Sequence, residues 1–231
     1  MDSSSFVKDQ PSNFEINALE PPRAGTLDRQ QRAKRALDVL GAITFLILFC
    51  PLLIGVALLA LAVQGRPVLY GHRRIGKGGR SFRCYKFRTM VTDGDRVLAL
   101  HLAQNSQARR EWESTQKLKD DPRVTPLGRT LRKLSVDELP QFLNVLAGDM
   151  SLVGPRPIVE SETRYYGPYV ETYYSVRPGI TGAWQVNGRS GTSYERRVSM
   201  DVEYVTSWTL KKDLMILAKT VPVVLTSEGS C

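Results

Sequence analysis

VLGAITFLILFCPLLIGVALLALAV, residues 39 to 63, is a run of 25 residues that contains no charged side chain. A helix that crosses the hydrocarbon core of a bilayer needs about 20 apolar residues. A secretory signal fits poorly, because its apolar region has only about 7 to 15 residues and begins near the terminus, whereas 38 residues precede this run. A buried helix of a soluble protein normally has a polar face, and here only Thr44 is polar. The run predicts a segment that lies in lipid.

Both flanks of this run are basic, with Arg29, Arg32, Lys34 and Arg35 before it and Arg66, Arg73, Arg74, Lys77, Arg80, Arg83, Lys86 and Arg88 after it. Because cytoplasmic segments carry an excess of Lys and Arg, a straight crossing would export one flank. Pro51 cannot donate to the carbonyl of Ile47, so a sharp bend is expected there. Each half, about 12 residues and roughly 18 Å long, matches one leaflet. We predict a re-entrant helix-break-helix, with a straight spanning helix as the alternative.

The composition narrows the partners and the chemistry. The 231 residues suit one domain of ordinary size with appendages, and we expect one catalytic unit. Lys and Arg number 32 against 23 acids, a formal charge of +9, which indicates anionic partners such as phosphates, anionic lipid or nucleic acid. Three distant cysteines offer neither a disulfide framework nor a metal-ligand spacing. The chain has only two histidines, which makes a catalytic triad based on histidine a poor fit. Carboxylates are therefore the first candidates for catalytic residues.

The chain divides into three regions. Residues 1–27, with a serine run and a proline pair, are interpreted as a flexible tail. Residues 28–66 contain the basic flank and the re-entrant membrane segment broken near Pro51. Residues 67–231 are interpreted as a catalytic domain with interfacial helices. The predicted fold class is α+β: a mainly helical cytoplasmic domain with a short β-hairpin, anchored by the membrane segment.

Three elements of the last region are predicted from local patterns. VLYGHRRIGKGGRSFRCYKFRTM, residues 68 to 90, indicates two short strands around the turn-forming Lys77-Gly78-Gly79. The stretch from Asp95 to about Leu118 lacks Gly and Pro and is rich in helix formers, which predicts one helix. Asp213 to Thr226 is apolar but too short to span a bilayer, so we predict a core or interfacial helix broken near Pro222.

An acidic pair stands out in RTLRKLSVDELPQFLNVLAGDMSLVGPRP, residues 129 to 157. Ser135 and Glu138 fit a capping box, which places Asp137 near a helix N-terminus, where the helix dipole favours its ionised form and a low pKa. An ionised Asp137 could attack phosphorus, and Glu138 could help to hold Mg²⁺. The alternative is ordinary capping, since acids in a first helical turn are common and stabilise by only about 0.3 to 1 kcal/mol.

Several arginines accompany this pair. Arg132 lies five residues before Asp137, and the prolines of Gly154-Pro155-Arg156-Pro157 could fix Arg156 for bidentate contact with phosphate. VRPGITGAWQVNGR, residues 176 to 189, contains two turn signals around Trp184. Together with Arg177 or Arg189, this segment could hold a uracil and a pyrophosphate, or it could be two turns and nothing more.

Four segments together closely resemble the bacterial sugar transferase family, the small monotopic phosphoglycosyl transferases. They are KRALDVLGA at 34 to 42, FRTM at 87 to 90, LSVDELPQFLNVLAGDMSLVGPRP at 134 to 157 and VRPGITGAWQVNGR at 176 to 189. The resemblance covers roughly residues 30 to 226. Within the family, the short chain is similar to galactose-1-phosphate transferases that begin succinoglycan-type exopolysaccharide assembly.

The resemblance implies an enzyme on the cytoplasmic face of the bacterial inner membrane that uses a UDP-sugar, undecaprenyl phosphate and Mg²⁺. Asp137 would be the nucleophile, forming a phosphosugar-aspartyl intermediate and releasing UMP, and Glu138 would bind the metal. Arg132, Arg156 and Arg189 match family positions that bind phosphate groups. UDP-galactose, UDP-glucose and N-acetylated relatives all fit the class. Inner membrane lipid and downstream glycosyltransferases are the further partners that it implies.

Two functions from other classes compete with this interpretation. A non-catalytic membrane protein could use its basic surface to bind anionic lipid or to recruit assembly partners, and the charge and the apolar run fit it equally well. A membrane-tethered nucleic-acid binder fits less well, because no recognised binding motif is present and many basic residues lie beside the apolar run. We therefore expect no nucleic-acid partner.

Overall fold

The computed structural model describes residues 24–115, 118–187 and 192–226. In these residues the chain forms a mainly helical fold with two small two-stranded sheets, so the α+β class with a short hairpin is confirmed. The helices are α1 (Ala24–Leu48), α2 (Cys50–Gln64), α3 (Gly94–Gln104), α4 (Ser106–Thr115), α5 (Pro126–Lys133), α6 (Gln141–Ala147), α7 (Val170–Tyr174), α8 (Ala183–Asn187), α9 (Tyr194–Thr206) and α10 (Leu210–Thr226). The strands are β1 (Leu69–Ile75), β2 (Ser81–Phe87), β3 (Ser151–Val153) and β4 (Gly179–Thr181).

The apolar run forms two helices that meet at a bend. Residues 29–48 and 50–64 differ in direction by 63°, and the break lies at Phe49, next to Pro51, as predicted. Within the described residues, no single helix has the length and hydropathy to cross a membrane, whereas this bent pair passes that test when its halves are taken together. Helix α1 starts at Ala24, inside the region interpreted as a tail, and residues 1–23 lie outside the described residues.

The bent pair exposes much of its apolar surface. Large side chains are exposed along both helices, among them Leu40, Ile47 and Leu48 on α1 and Ile54, Leu58 and Val63 on α2. The exposed fraction reaches 71% at Ile47. A contiguous apolar surface of this kind marks a binding or membrane-facing surface in most proteins.

The first half of α1 is instead tied to the rest of the fold by polar contacts. The carboxylate of Asp38 accepts hydrogen bonds from the Ser151 hydroxyl and the Leu152 N–H, both at 2.9 Å. Lys34 donates to the buried carboxylate of Asp213 on α10 at 2.6 Å. One helical turn beyond Asp38, Ala42 is fully buried in the core. Helix α1 therefore runs continuously from the folded domain into the exposed apolar pair.

The predicted β-hairpin is confirmed. Strands β1 and β2 pair antiparallel, with His72 opposite Cys84 and Tyr70 opposite Lys86. The turn between them includes Gly78, whose φ of 68° is in the left-handed region that favours glycine.

The prediction of one continuous helix from Asp95 to about Leu118 is wrong, because the helix is interrupted at Asn105. Asn105 is extended, with φ −127° and ψ 102°, and ends α3. Its side-chain oxygen accepts hydrogen bonds from the N–H groups of Gln107 and Ala108, both at 3.0 Å, and so caps the start of α4. Asparagine offers the backbone this local alternative to a continuous helix.

The last helix is longer than predicted and is not broken. Helix α10 starts at Leu210 and continues through Pro222 to Thr226. Its Ile216 lies in the core, while Leu214, Met215 and Val221 are exposed. One face of α10 thus packs into the domain, and the other presents apolar side chains outward. The buried Ile216 agrees with the expectation of a core helix, and the interfacial alternative stays a prediction.

The main core lies between α1, α6, α10 and the parallel pair β3–β4. The ring of Phe45 on α1 stacks on that of Phe142 on α6, with centroids 3.8 Å apart. A second cluster joins the hairpin, α7 and α9 around Tyr166 and Tyr173. The acidic pair and the hairpin meet between these two clusters.

Candidate functional site

The acidic pair lies in a short 3-10 turn, Val136–Glu138, that precedes α6. Ser135 has a φ of 55° and its side chain makes no capping hydrogen bond, so the predicted capping box is wrong. A left-handed residue there reverses the chain between α5 and the turn. Asp137 is buried, with 7% of its surface exposed, whereas the Glu138 side chain keeps 40% exposure. The two neighbouring carboxyl groups therefore face different environments.

Cations surround Glu138. The ammonium of Lys86, on β2, lies 2.5 Å from Oε1 of Glu138. Burial opposes ionisation, but attraction to Lys86, Arg156 and Arg74 outweighs it and lowers the pKa of Glu138. Glu138 is accordingly ionised at neutral pH. It is one negative charge among three positive ones.

The environment of Asp137 contradicts the expectation of a low pKa. Burial raises the pKa of Asp137, and the charge of Glu138 raises it further, while Lys86 and Arg132 lower it. The expected benefit of a helix dipole is absent because Asp137 precedes α6 rather than starting it. Lys86 and Arg132 are therefore the groups that favour the ionised form.

Asn144 fixes the distance between the hairpin and the acidic turn. This residue of α6 is fully buried. Its side-chain oxygen accepts from the N–H of Tyr85 at 2.9 Å, and its amide nitrogen donates to the carbonyl of Arg83 at 2.7 Å. The side chain thereby extends the hydrogen bonding of β2 beside Lys86. These two hydrogen bonds fix the position of strand β2 relative to α6, the helix that follows the acidic turn.

Arg132 reaches the site from α5. Its Nε donates to the hydroxyl of Thr89 at 2.9 Å, and its charge lowers the pKa of Asp137. The close approach requires Gly128, because a Cβ there would lie 2.1 Å from the carbonyl oxygen of Thr89. The neighbouring Arg88 donates to the carbonyls of Gly65 and Arg66, each at 3.0 Å, at the end of α2. The segment after β2 thus contacts both the bent helical pair and the site.

Arg156 follows β3 and is exposed. The backbone of its loop at Gly154 packs closely against the backbone at Gly179, the first residue of β4. A Cβ on Gly179 would lie 2.1 Å from the nitrogen of Gly154. The Arg156 guanidinium lies 5.9 Å from the centre of the Trp184 ring, and its charge lowers the pKa of Glu138. Arg132, which precedes the acidic pair in the sequence, and Arg156, which follows it, are therefore both close enough to affect its pKa values.

Of the two other predicted arginines, Arg177 lies within the described residues. Arg177 donates from Nε to the carbonyl of Gly148 at 2.7 Å, at the C-terminal end of α6. This contact satisfies a carbonyl at the end of α6, and the binding role of Arg177 stays a prediction. Arg189 lies outside the described residues.

Lys86, Arg74 and Asp201 are site residues that sequence reasoning missed. Asp201, on the buried face of α9 with Val198 and Val202, has 2% exposure. Burial raises the pKa of Asp201 to about 7, although a hydrogen bond from Tyr166 and the charge of Arg156 oppose the rise. An acid on the apolar face of a helix was a signal available in the sequence. Lys86 carried no comparable signal among so many basic residues.

Among the described residues, no group of three or more His, Cys, Asp or Glu side chains is arranged to hold a metal ion. Magnesium is commonly held by one or two carboxylates together with substrate phosphates and water. The ionised and half-exposed Glu138 offers one such carboxylate.

An ionised acid beside a buried one, with four cations around them, is a site suited to phosphorylated substrates, and it defines a class of phosphate-handling protein. A model of the bacterial sugar transferase family matches residues 29–227. The chain belongs to the bacterial sugar transferase family and is an enzyme of that family.

Curated relatives span several named transferases. The chain is 52% identical over 198 residues to the exopolysaccharide production protein ExoY of Sinorhizobium fredii, covering 86% of this chain and 88% of that protein. It is 49% identical over 197 residues to the undecaprenyl-phosphate galactose phosphotransferase of Salmonella typhimurium, covering 85% of this chain but 41% of that protein. It is 42% identical over 207 residues to the UDP-glucose:undecaprenyl-phosphate glucose-1-phosphate transferase of Caulobacter vibrioides, covering 85% and 71%. The resemblance stated from the sequence is confirmed.

Proposed function

We propose that this protein transfers a sugar-1-phosphate from a UDP-sugar, with galactose or glucose as the sugar, to undecaprenyl phosphate and so begins exopolysaccharide assembly. The observation that carries the proposal is the position of Asp137, a buried carboxyl group beside Glu138 and within the field of Lys86 and Arg132. Relatives whose names specify this transfer, to undecaprenyl phosphate from galactose or glucose donors, support it.

The transfer takes place in two displacements at phosphorus. A carboxylate oxygen of Asp137 attacks the phosphorus that bears the sugar, and the bond from that phosphorus to the bridging oxygen of the pyrophosphate breaks. UMP leaves with the bridging oxygen and its electron pair, and a phosphosugar-aspartyl intermediate remains. An oxygen of undecaprenyl phosphate then attacks the same phosphorus, and the carboxylate of Asp137 is released unchanged.

The surrounding cations act on the charge that develops during these steps. Lys86 and Arg132 keep Asp137 ionised and therefore nucleophilic, since both lower its pKa. Arg156 would contact the pyrophosphate, and its exposure and its effect on the pKa of Glu138 support this role. Arg189 is assigned the same kind of contact from the family resemblance alone.

Magnesium fits this arrangement through Glu138. When bound, the ion supplies positive charge that stabilises the departing nucleotide phosphate. Glu138 would hold it, exchanging its contact with Lys86 for one with the metal, and the phosphates and water would complete the coordination.

We further propose that residues 28–66 form a re-entrant segment in the inner membrane, with residues 67–231 as the catalytic domain on the cytoplasmic face. The 63° bend, the exposed apolar side chains on both halves and the basic flanks support this placement. Helix α10, with Leu214, Met215 and Val221 exposed, would lie at the interface. Labelling of cysteines placed at the two ends of the segment tests it, because ends on opposite sides of the membrane would contradict it.

The activity itself is tested with the full chain in a membrane fraction. The fraction is incubated with undecaprenyl phosphate and UDP-galactose, UDP-glucose or their N-acetylated counterparts, and UMP and the lipid product are measured. We expect release of UMP with at least one donor, and none from Asp137→Asn although that variant still sediments with membranes. Full transfer by Asp137→Asn would contradict the role of Asp137, and no turnover with any UDP-sugar would contradict the whole proposal.

A further inference from the structure

A small pocket is lined in part by Arg156, the arginine whose charge also lowers the pKa of Glu138. Its lining residues come from the loop after β3, from α8 and from α9, and they are Arg156, Ile158, Glu162, Tyr166, Trp184, Tyr194, Arg197 and Asp201. Arg156 is the exposed member of this set and so lies at the mouth, whereas Asp201 is buried at the floor.

The floor of the pocket contains a polar atom with no partner. Oδ2 of Asp201 accepts a hydrogen bond from the Tyr166 hydroxyl at 2.8 Å. Oδ1 of Asp201 is buried and makes no hydrogen bond within the described residues. A buried carboxylate oxygen without a donor is costly, and native proteins keep such groups where a ligand or water supplies the donor.

The remaining lining has the chemistry of a carbohydrate site. The buried ring of Trp184 packs against two guanidinium groups, with that of Arg197 4.6 Å and that of Arg156 5.9 Å from its centre. Glu162 supplies a second carboxylate, and Tyr194 supplies a hydroxyl. Carboxylate acceptors suit hydroxyl groups, which are abundant on a pyranose, better than a uracil ring, which offers a single N–H donor.

The position of the pocket also selects the sugar end of the donor. Arg156 lines the pocket, and its charge lowers the pKa of both Glu138 and Asp201, so one guanidinium is near the acidic pair as well as the pocket. The phosphorus that Asp137 attacks is bonded directly to the sugar oxygen, whereas the ribose is separated from it by a second phosphate. A pocket that shares Arg156 with the acidic pair is therefore adjacent to the sugar.

We propose that this pocket binds a hydroxyl group of the transferred sugar, with Oδ1 of Asp201 as the acceptor, and that Asp201 is a residue that determines sugar specificity. This inference rests on the proposed function, because it assigns the sugar end of the same donor. The Tyr166 hydroxyl donates to the other carboxylate oxygen and so orients Asp201.

The test measures binding in full-length Asp137→Asn protein in detergent, so that no donor is consumed. The probes are UDP, UDP-galactose, UDP-glucose and the monodeoxy analogues of both sugar nucleotides. Measured at about pH 8 or above, where Asp201 is ionised because its pKa is about 7, Asp201→Asn should weaken binding of the preferred UDP-sugar by about tenfold or more, the effect expected when a hydrogen bond to a charged group is lost. Binding of UDP should change by less than about twofold. One deoxy analogue should bind equally well to protein with Asp201 and to the Asp201→Asn variant. The missing hydroxyl and the substitution remove the same hydrogen bond, so their effects do not add.

Tyr166→Phe is the matched control, since it removes the hydrogen bond to Oδ2 and leaves Oδ1 in place. It should retain the preference for the parent sugar over its deoxy analogue. The inference would be overturned by an equal loss of UDP and UDP-sugar binding in Asp201→Asn, by unchanged discrimination in that variant, or by an equal loss of discrimination in Tyr166→Phe. Failure of the proposed function is a different result, in which protein with Asp201 intact binds neither UDP-sugar.

Discussion

The ammonium of Lys86 lies 2.5 Å from Oε1 of Glu138, and the same charge lowers the pKa of the neighbouring Asp137. One strand residue thus acts on both members of the acidic pair. Burial raises the pKa of Asp137, whereas this lysine and Arg132 lower it, so both cations favour its ionised form. The hairpin is therefore part of the site and not only a scaffold.

Replacement of Lys86 by methionine should move the acidic limb of the activity profile to higher pH. Asp137 must be ionised to attack, so activity falls as the pH falls through its pKa, and loss of Lys86 raises that pKa. UMP release measured from pH 5 to 9 checks this, with Lys77→Met, in the exposed hairpin turn, as the control. An unmoved limb, or one moved to lower pH, would contradict the role of Lys86.

Asn144→Ala should destabilise the protein by about 1 to 3 kcal/mol, because the Tyr85 N–H and the Arg83 carbonyl lose their buried partner. It should also lower the rate of UMP release in the fraction that remains folded, since β2 is no longer held beside the acidic turn. Thermal unfolding and active-site titration separate the two effects. Gln104→Ala, at an exposed position on α3, is the control and should change neither. Unaltered unfolding of Asn144→Ala would refute the account of this contact.

Gly128→Ala should disturb Arg132. A Cβ at this position would lie 2.1 Å from the Thr89 carbonyl oxygen, so α5 and the segment after β2 must separate, at a cost of about 1 to 3 kcal/mol. Loss of the Arg132–Thr89 contact should reduce UMP release more than it reduces membrane association. Gly94→Ala is matched, because its Cβ meets Arg123 at an ordinary 3.5 Å. Equal behaviour of the two variants would argue against a close approach at Gly128.

Asp201 should make stability depend on pH. Its pKa is about 7 in the folded protein and near 3.8 when unfolded, so between these values the folded state holds a proton that the unfolded state has lost. Stability therefore falls as the pH rises from about 4 to 7, by up to about 1.4 kcal/mol per pH unit. Thermal unfolding of the wild type and Asp201→Asn across this range should show the variant gaining relative stability with rising pH. A constant difference would contradict the burial of Asp201.

Local chemistry explains what the sequence predicted well. The Lys77-Gly78-Gly79 cluster can form a tight turn at little steric cost, and Pro51 removes a helix donor, so the hairpin and the bend follow from single residues. The acidic pair with Arg132 and Arg156 was recognised because these residues lie in one distinctive stretch.

The wrong predictions of local structure have a common cause. Each was made from residue spacing, and in the structure the residue adopts a conformation or makes a contact that spacing does not show. Asn105 caps a new helix instead of continuing the old one. Ser135 adopts a left-handed conformation, so the capping box predicted from spacing does not form. Lys86 and Asp201 join the site through the pairing of β2 and the packing of α9, and both depend on tertiary structure.

The central claim is that Asp137 becomes covalently linked to the phosphosugar. The full-length protein is incubated with a UDP-sugar and Mg²⁺ in the absence of undecaprenyl phosphate, and its intact mass and proteolytic peptides are measured. We predict a gain equal to one sugar phosphate on the peptide that contains Asp137, with a matching amount of UMP, and loss of the adduct when undecaprenyl phosphate is added. An adduct on another residue, or transfer of the sugar with no adduct at any time, would contradict the account.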